Sequence, residues 1–183
     1  SYTGQISNSI STKEDRFLNS NLIKDWKNGW EHTIPISASF TLFNAININP
    51  SFNFTDRMYM NKIMRSWDEA SQTEVSDTTY GLHNIYNWNF SVGASTKIYG
   101  FWIPNKKIFG DKIQAIRHVF TPTVSFSYSP DFGTQRYGYW DSYLKTDADG
   151  NVSLVSYSPY SNGLYGVPGK GRSESITWDI DNN

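Results

Sequence analysis

Apolar and polar residues alternate with a period of two through much of this chain, and residues 113–132 carry the pattern furthest. There Ile116, His118, Phe120, Pro122, Val124, Phe126 and Tyr128 share one parity, while Arg117, Thr121, Thr123, Ser125, Ser127 and Ser129 share the other. Successive side chains of a strand point to opposite sides. The segment therefore predicts one long strand with an oily face and a hydroxyl-rich face, Val119 being the one large aliphatic residue on the polar side. A two-faced strand needs two solvents. In a soluble sandwich these are a core and water; in an outer-membrane barrel they are lipid and a wet lumen.

The same period predicts further strands. Residues 1–11 place Tyr2, Ile6 and Ile10 opposite Ser7, Ser9 and Ser11. From Trp30, Ile34, Ile36, Ala38, Phe40 and Leu42 oppose Thr33, Ser37, Ser39 and Thr41. After Phe43-Asn44-Ala45 the pattern restarts with Ile46, Ile48, Pro50, Phe52, Phe54, Met58 and Met60 against Asn47, Asn49, Ser51, Asn53, Thr55 and Arg57; so short a link predicts a hairpin. A strand near Ile85 sets Tyr86, Trp88, Phe90, Val92, Ala94 and Ile98 against Asn87, Asn89, Ser91, Ser95 and Lys97. The last sets Ile176, Trp178 and Ile180 against Thr177, Asp179 and Asp181. Between them, residues 12–29 read as a charged loop with a short helix around Phe17–Ile23, and 61–84 as a long polar loop. Residues 100–112 read as a moderate turn, and 131–173 as a very long excursion with its own hairpin around Thr146–Asn151.

Alternating short and long connections is the habit of bacterial outer-membrane barrels, whose turns are short on the periplasmic side and long outside. The fold expected is all-β: about six long antiparallel strands of an up-and-down transmembrane β-barrel, with short periplasmic turns and long extracellular loops. On this reading Asn47, Asn49, Asn53, Arg57, Asn87, Asn89, Lys97 and Arg117 face the lumen. Ile34, Ile36, Phe40, Ile48, Phe52, Phe54, Trp88, Phe90, Val92, Phe120, Val124 and Phe126 face lipid. Strand charges keep to the polar parity, with Asp56 the exception. Trp30, Tyr59, Trp67, Tyr86, Trp88, Tyr99, Trp102 and Tyr128 fall near strand ends, where aromatic rings suit a membrane interface; stacking on sugars is the rival use. Pro35, Pro50 and Pro122 each remove a ladder donor, and bulges are expected at them.

Composition sharpens this reading. The 183 residues carry a net charge of -1, which gives no electrostatic reason to expect nucleic acid, and 18% are charged, below the roughly 25% of ordinary soluble domains. There is no cysteine for a disulfide or thiolate site. No run reaches the roughly 18 apolar residues of a transmembrane helix. No signal peptide is evident, and the chain reads as a piece of a longer protein. Asp147, Asp149 and Asn151 with Gly150 resemble a calcium loop, but the glycine is misplaced and no glutamate closes it, so a hairpin turn is the expectation. His32, His83 and His118 lack metal spacing, and no nucleophile–base pair is ordered by sequence. Neither an enzyme nor a cofactor or metal protein is expected.

The phrases NGWEHTIPISASF, ININPSFNF, STKIYGFW and above all AIRHVFTPTVSFSYSPDF resemble the barrel domain of the lipopolysaccharide-assembly outer-membrane proteins, the LptD/OstA family. The resemblance covers essentially the whole chain. It implies residues 1–183 as a middle segment of the barrel, without the family's periplasmic jelly-roll domain. It also implies lipopolysaccharide transport and insertion at the cell outer membrane. The partners implied are lipopolysaccharide, a lipoprotein plug, a periplasmic lipopolysaccharide-transport bridge and the membrane lipids themselves. Two other readings stay open: another barrel such as a porin or receptor, and a soluble secreted glycan-binding β-sandwich.

Overall fold

A computed structural model describes residues 2–10, 26–103 and 115–182. Among them run β1 (Thr3–Ile10), β2 (Trp26–Ser37), β3 (Phe40–Leu42), β4 (Ile46–Asp68), β5 (Thr73–Thr96), β6 (Ile98–Trp102), β7 (Ile116–Ser129), β8 (Asp141–Thr146), β9 (Val152–Tyr157) and β10 (Ser173–Asn182). The main sheet has the order β1-β2-β4-β5-β7-β10, with β3 also pairing β4 and β6 also pairing β7. Since β3 and β6 continue β2 and β5 after short gaps, six ribbons follow one another up and down in chain order. The sheet is open, with β1 and β10 at its edges. No helix among the described residues is long and apolar enough to cross a membrane, which says nothing of strands.

The chain divides into two compact units. Unit 1 comprises Ser1–Pro35, Asn53–Trp88 and Pro130–Arg172; unit 2 comprises Ile36–Phe52, Asn89–Ser129 and Ser173–Asn183. In unit 2 the ladders are regular: β5 pairs β7 from Phe90↔Tyr128 to Ser95↔Thr123, and β7 pairs β10 from Ser129↔Ser173 to Phe120↔Asn182. In unit 1, β1 lies antiparallel on β2 from Thr3↔Thr33 to Ile10↔Trp26.

Several connections differ from the sequence expectation. Residues 61–84 are not a long loop. β4 runs on to Asp68 and β5 begins at Thr73, so the link is a tight turn at 69–72 on a much longer hairpin. The charges that suggested a loop pair across the two strands instead, as in Arg65 Nη1 to Glu74 Oε1 at 3.2 Å. At the tip, Asp68 accepts from Ala70 N at 3.2 Å and from the Ser71 hydroxyl at 2.6 Å, which hold its carboxyl below the ordinary carboxylate range. β2 begins at Trp26, so residues 26–29 are strand rather than loop; the helix expected within 12–25 lies outside the described residues, as does most of the 100–112 turn. The excursion does contain its hairpin, β8 on β9, from Asp141↔Tyr157 to Thr146↔Val152. In its turn the Asp147 carboxylate accepts from the amides of Asp149 and Asn151 at 3.0 and 2.8 Å.

At Pro122 the structure has a gap, not the bulge expected. β5 pairs β7 up to Ser95↔Thr123, pairing stops opposite Pro122, and it resumes at Ile98↔Phe120 in the same register. An extra residue would have shifted that register. Pro50 likewise keeps its ladder on the acceptor side, with Ala38 N donating to Pro50 O at 3.1 Å. Parity therefore survives every interruption, and each strand keeps its two faces.

The Leu42–Ala45 turn closes with Ala45 N on Leu42 O at 3.1 Å, and Phe43 and Asn44 sit at φ 52° and 55°. This is the two-residue hairpin turn that matches strand twist, and it favours Asn-Gly. A phenylalanine in the left-handed region is strained by roughly 1–3 kcal/mol. Replacing Phe43-Asn44 by Asn-Gly should raise stability by about 1 kcal/mol, read as a later midpoint of heat-induced gel-mobility change in the full protein. A lower midpoint would show that the turn has another conformation.

Candidate functional site

Odd-numbered side chains share one face along the strands of each unit. In unit 2 that face is a hydroxyl surface. Ser51 meets Ser91 at 2.7 Å, Ser91 stands opposite Ser127 in the ladder, and Ser127 meets Ser175 at 2.7 Å, giving a row of serines across β4, β5, β7 and β10. Ser125 and Thr177 make a parallel rung, and Thr41 donates to Asn47 Oδ1 at 2.9 Å. Short hydroxyls bonded to one another lie flat and leave lone pairs free for a ligand or water.

In unit 1 the odd face carries charge under cover. Arg57 on β4 donates through Nε to Glu31 Oε2 on β2 at 2.9 Å and through Nη1 to Asn87 Oδ1 on β5. Both ion-pair partners are largely buried. Beside them, Tyr59 and Ile85 are fully buried although they stand on the polar parity. Their cover is the 130–172 excursion: Phe132, Tyr139 and Tyr160 form one cluster with them, and Tyr137, Trp140, Tyr165 and Val167 pack around it. Tyr59 donates its hydroxyl to Gly166 O at 2.7 Å, and the Tyr165 ring lies over Gly29, where a Cβ would approach it to 3.1 Å. The strand glycine makes the seat for that ring. At the free upper edge of β4, Ile63 N donates to Pro159 O at 2.8 Å and Arg65 N to the Tyr157 hydroxyl at 3.0 Å. The excursion thus satisfies strand amides as well as covering a face.

Of the eight polar candidates, the structure brings together Arg57 and Asn87. Asn53 is half-buried in unit 1; in unit 2, Asn89 is half-buried and Asn47, Asn49, Lys97 and Arg117 are exposed. Of the twelve apolar candidates, Ile34, Ile36, Phe40, Phe120 and Val124 are exposed, while Ile48, Phe52, Phe54, Phe90, Val92 and Phe126 are half-buried among their row neighbours. Val92↔Phe126↔Ile176 and Ala94↔Val124↔Trp178 are such rows. Trp88 is half-buried and packs against the excursion's aromatic cluster. The described β5–β7 ladder begins only at Phe90, and before it the open β5 edge receives Tyr139, whose hydroxyl accepts from Tyr86 N at 2.9 Å.

Sequence reasoning missed the aromatic cluster and the Glu31–Arg57 pair as a unit. A signal existed. Tyr59 and Ile85 are large apolar residues on a polar parity, and the excursion holds six of the chain's twelve tyrosines.

Burial pushes the Tyr139 hydroxyl up from 10.0 to about 12, and that of Tyr160 up as well. A folded-state value above the unfolded one means that the contribution is complete below about pH 10 and is lost as pH rises through about 12. Tyrosinate absorbance should therefore appear together with release of the excursion in that window, followed by proteolysis at the Asp147–Asn151 turn. Tyr139→Phe should destabilise the docked excursion by about 1–3 kcal/mol, since Tyr86 N loses its acceptor. Tyrosines titrating near pH 10 with the excursion still docked would contradict this packing.

No curated protein and no solved structure matches the chain. A family model described as "LptD protein" matches residues 1–183. The match spans every strand, the hydroxyl row and the covering excursion, and on it the chain belongs to the LptD protein family of outer-membrane lipopolysaccharide transport.

Proposed function

We propose that residues 1–183 are part of the barrel domain of an outer-membrane translocon that takes lipopolysaccharide from a periplasmic transport bridge and inserts it into the outer membrane around a lipoprotein plug. The observation that carries the reading is a single antiparallel sheet with an uncovered apolar parity and a hydroxyl- and amide-lined opposite parity, in a chain whose whole length matches this family. The even parity then faces lipid and the odd parity faces a wet lumen. Among the odd residues, the serine row and Asn47, Asn49, Asn53 and Asn89 offer donors and acceptors to sugars, while Lys97 and Arg117 suit phosphates. The work is movement along a surface, and no bond-making step is assigned to any residue. A soluble sandwich fits poorly, because a second sheet would have to cover the apolar parity; Trp178 remains 76% exposed on it. A porin or receptor would share the two faces but has no family match in its favour.

Val124 and Ser125, neighbours of opposite parity in β7, test the assignment. Val124→Arg should destabilise the full protein by about 2–4 kcal/mol if it faces mid-membrane, against under about 1 kcal/mol for Ser125→Arg. A sandwich core would give the same order, so labelling decides. In intact membranes Val124→Cys should react only with a lipid-soluble thiol reagent, whereas Ser125→Cys should be reached by a membrane-impermeant one. Equal aqueous reaction at both sites would sink the reading.

A further inference from the structure

The excursion carries a polar pocket of its own, wholly within unit 1. β8 and β9 set Ser142 opposite Ser156 and Leu144 opposite Leu154, so Ser142, Ser156 and Leu154 share one face of that hairpin. Trp140, Lys170, Gly133 and the short 3-10 turn that begins at Gln135 complete a cavity of about 500 Å³ over this face. That volume suits a small molecule.

Lys170 is built into place. A Cβ on Gly133 would come within 2.7 Å of Lys170 Cγ, so the glycine makes room for the lysine stem, and Gly171, next in the chain, is held by its amide to Asp131 Oδ1 at 2.7 Å. The ammonium lies 4.4 Å from the centre of the Trp140 ring and donates to the Ser156 hydroxyl. The indole is pinned in turn, its Nε1 donating to Pro168 O at 3.0 Å. Among the described residues no carboxylate pairs with Lys170, so the pocket holds a fixed cation without a counter-charge. Asp141 also lines the pocket, but its carboxylate accepts from Ser142 N at 2.8 Å and from the hydroxyl of Tyr157, a residue on the other face of the hairpin, at 3.5 Å. The side chains of Gln135 and Ser142 have no hydrogen-bond partner among the described residues.

These groups select among ligands. One ammonium matches a single negative charge, as on a carboxylate, and leaves a phosphate dianion half neutralised. The hydroxyls of Ser142 and Ser156 and the amide of Gln135 both donate and accept, which suits a ligand with several hydroxyls of its own; a plain aliphatic or aromatic acid would leave them unmatched. A free amino acid would bring an ammonium to a pocket whose one carboxylate is engaged toward the other face. Leu154, 68% exposed, is the pocket's one aliphatic hydrocarbon side chain, enough for the C–H face of a sugar ring and too little for an acyl chain. We propose that this pocket binds a uronic-acid saccharide, its carboxylate on Lys170 and its hydroxyls on Ser142, Ser156 and Gln135. The ligand is water-soluble and unacylated, so the site is separate from lipid transport and does not depend on it.

Calorimetric titration of the full protein in detergent with a glucuronic-acid oligosaccharide tests the proposal. Binding is expected, and the neutral methyl-esterified form of the same oligosaccharide should bind about tenfold more weakly, the equivalent of 1.4 kcal/mol. Lys170→Met keeps the stem and removes the charge, and should weaken binding to a similar extent; Ser142→Ala should weaken it less. Tyr139 titrating near pH 12 reports that the excursion of each variant is still docked, and if a variant fails that check the comparison of acid and ester on the native protein decides. Equal binding of acid and ester would make this a neutral-sugar site. Displacement by equimolar acetate or inorganic phosphate would mean an adventitious ion only, and displacement by purified lipopolysaccharide would give the pocket to the transported lipid. Each of these results overturns the proposal, as does unchanged binding in a docked Lys170→Met variant or no binding of the oligosaccharide at all.

Discussion

A backbone amide without a partner inside hydrocarbon destabilises a protein by several kcal/mol, so a sheet that spans a bilayer must keep its ladders intact from edge to edge. That requirement explains how this chain treats its prolines. At Pro122 the ladder skips rather than bulges, and register is the same on both sides of the skip; Pro50 keeps its acceptor in the ladder. A bulge would have reversed every side chain beyond it, placing Ser125 and Ser127 on the oily side and Val124 and Phe126 on the wet one. The hydroxyl row and the apolar rows depend on that preserved parity.

Unit 1 solves a different problem. Among the described residues, its β4 and β5 strands present amides such as Ile63 N, Arg65 N and Tyr86 N that bond to the excursion rather than to a neighbouring strand. The excursion meets each with an oxygen of its own, from Pro159, Tyr157 and Tyr139. Two of those three acceptors are tyrosine hydroxyls, which bring a large apolar ring with them. In Tyr139 edge satisfaction and burial beside Tyr59 and Ile85 are performed by one side chain, which suits the segment's many tyrosines.

The strand faces were legible in the sequence because a period of two is insensitive to what lies on either side of the sheet. Ile116–Tyr128 and Ile46–Met60 announce themselves through simple alternation. The length of the β4–β5 hairpin was hidden for a physical reason: toward its tip the strands pair charge with charge and polar with polar, alternation fades, and Lys62, Arg65, Glu74 and Asp77 look like loop residues when they lie in β4 and β5. The Glu31–Arg57–Asn87 network was hidden too, since it joins three strands and no local spacing encodes it. The packing of Trp88 was equally hidden, because it is set by a segment more than forty residues later in the chain.

Asp131 gives the excursion a further property. Its Oδ1 accepts from Gly133 N at the start of the segment and from Gly171 N at its end, both at 2.7 Å. One carboxylate oxygen therefore fastens the neck of the whole loop. Bringing together the ends of so long a chain carries an entropic penalty of about 3 kcal/mol, and that clasp offsets part of it at a point that does not depend on what the loop contains. Between the two glycines the Asp147–Asn151 turn, whose hydrogen bonds stay within itself, is accordingly free to change in length and sequence while Tyr139, Tyr157, Pro159 and Tyr160 keep their places on the strands. A fixed clasp with a replaceable tip lets that tip diversify without retuning the strands.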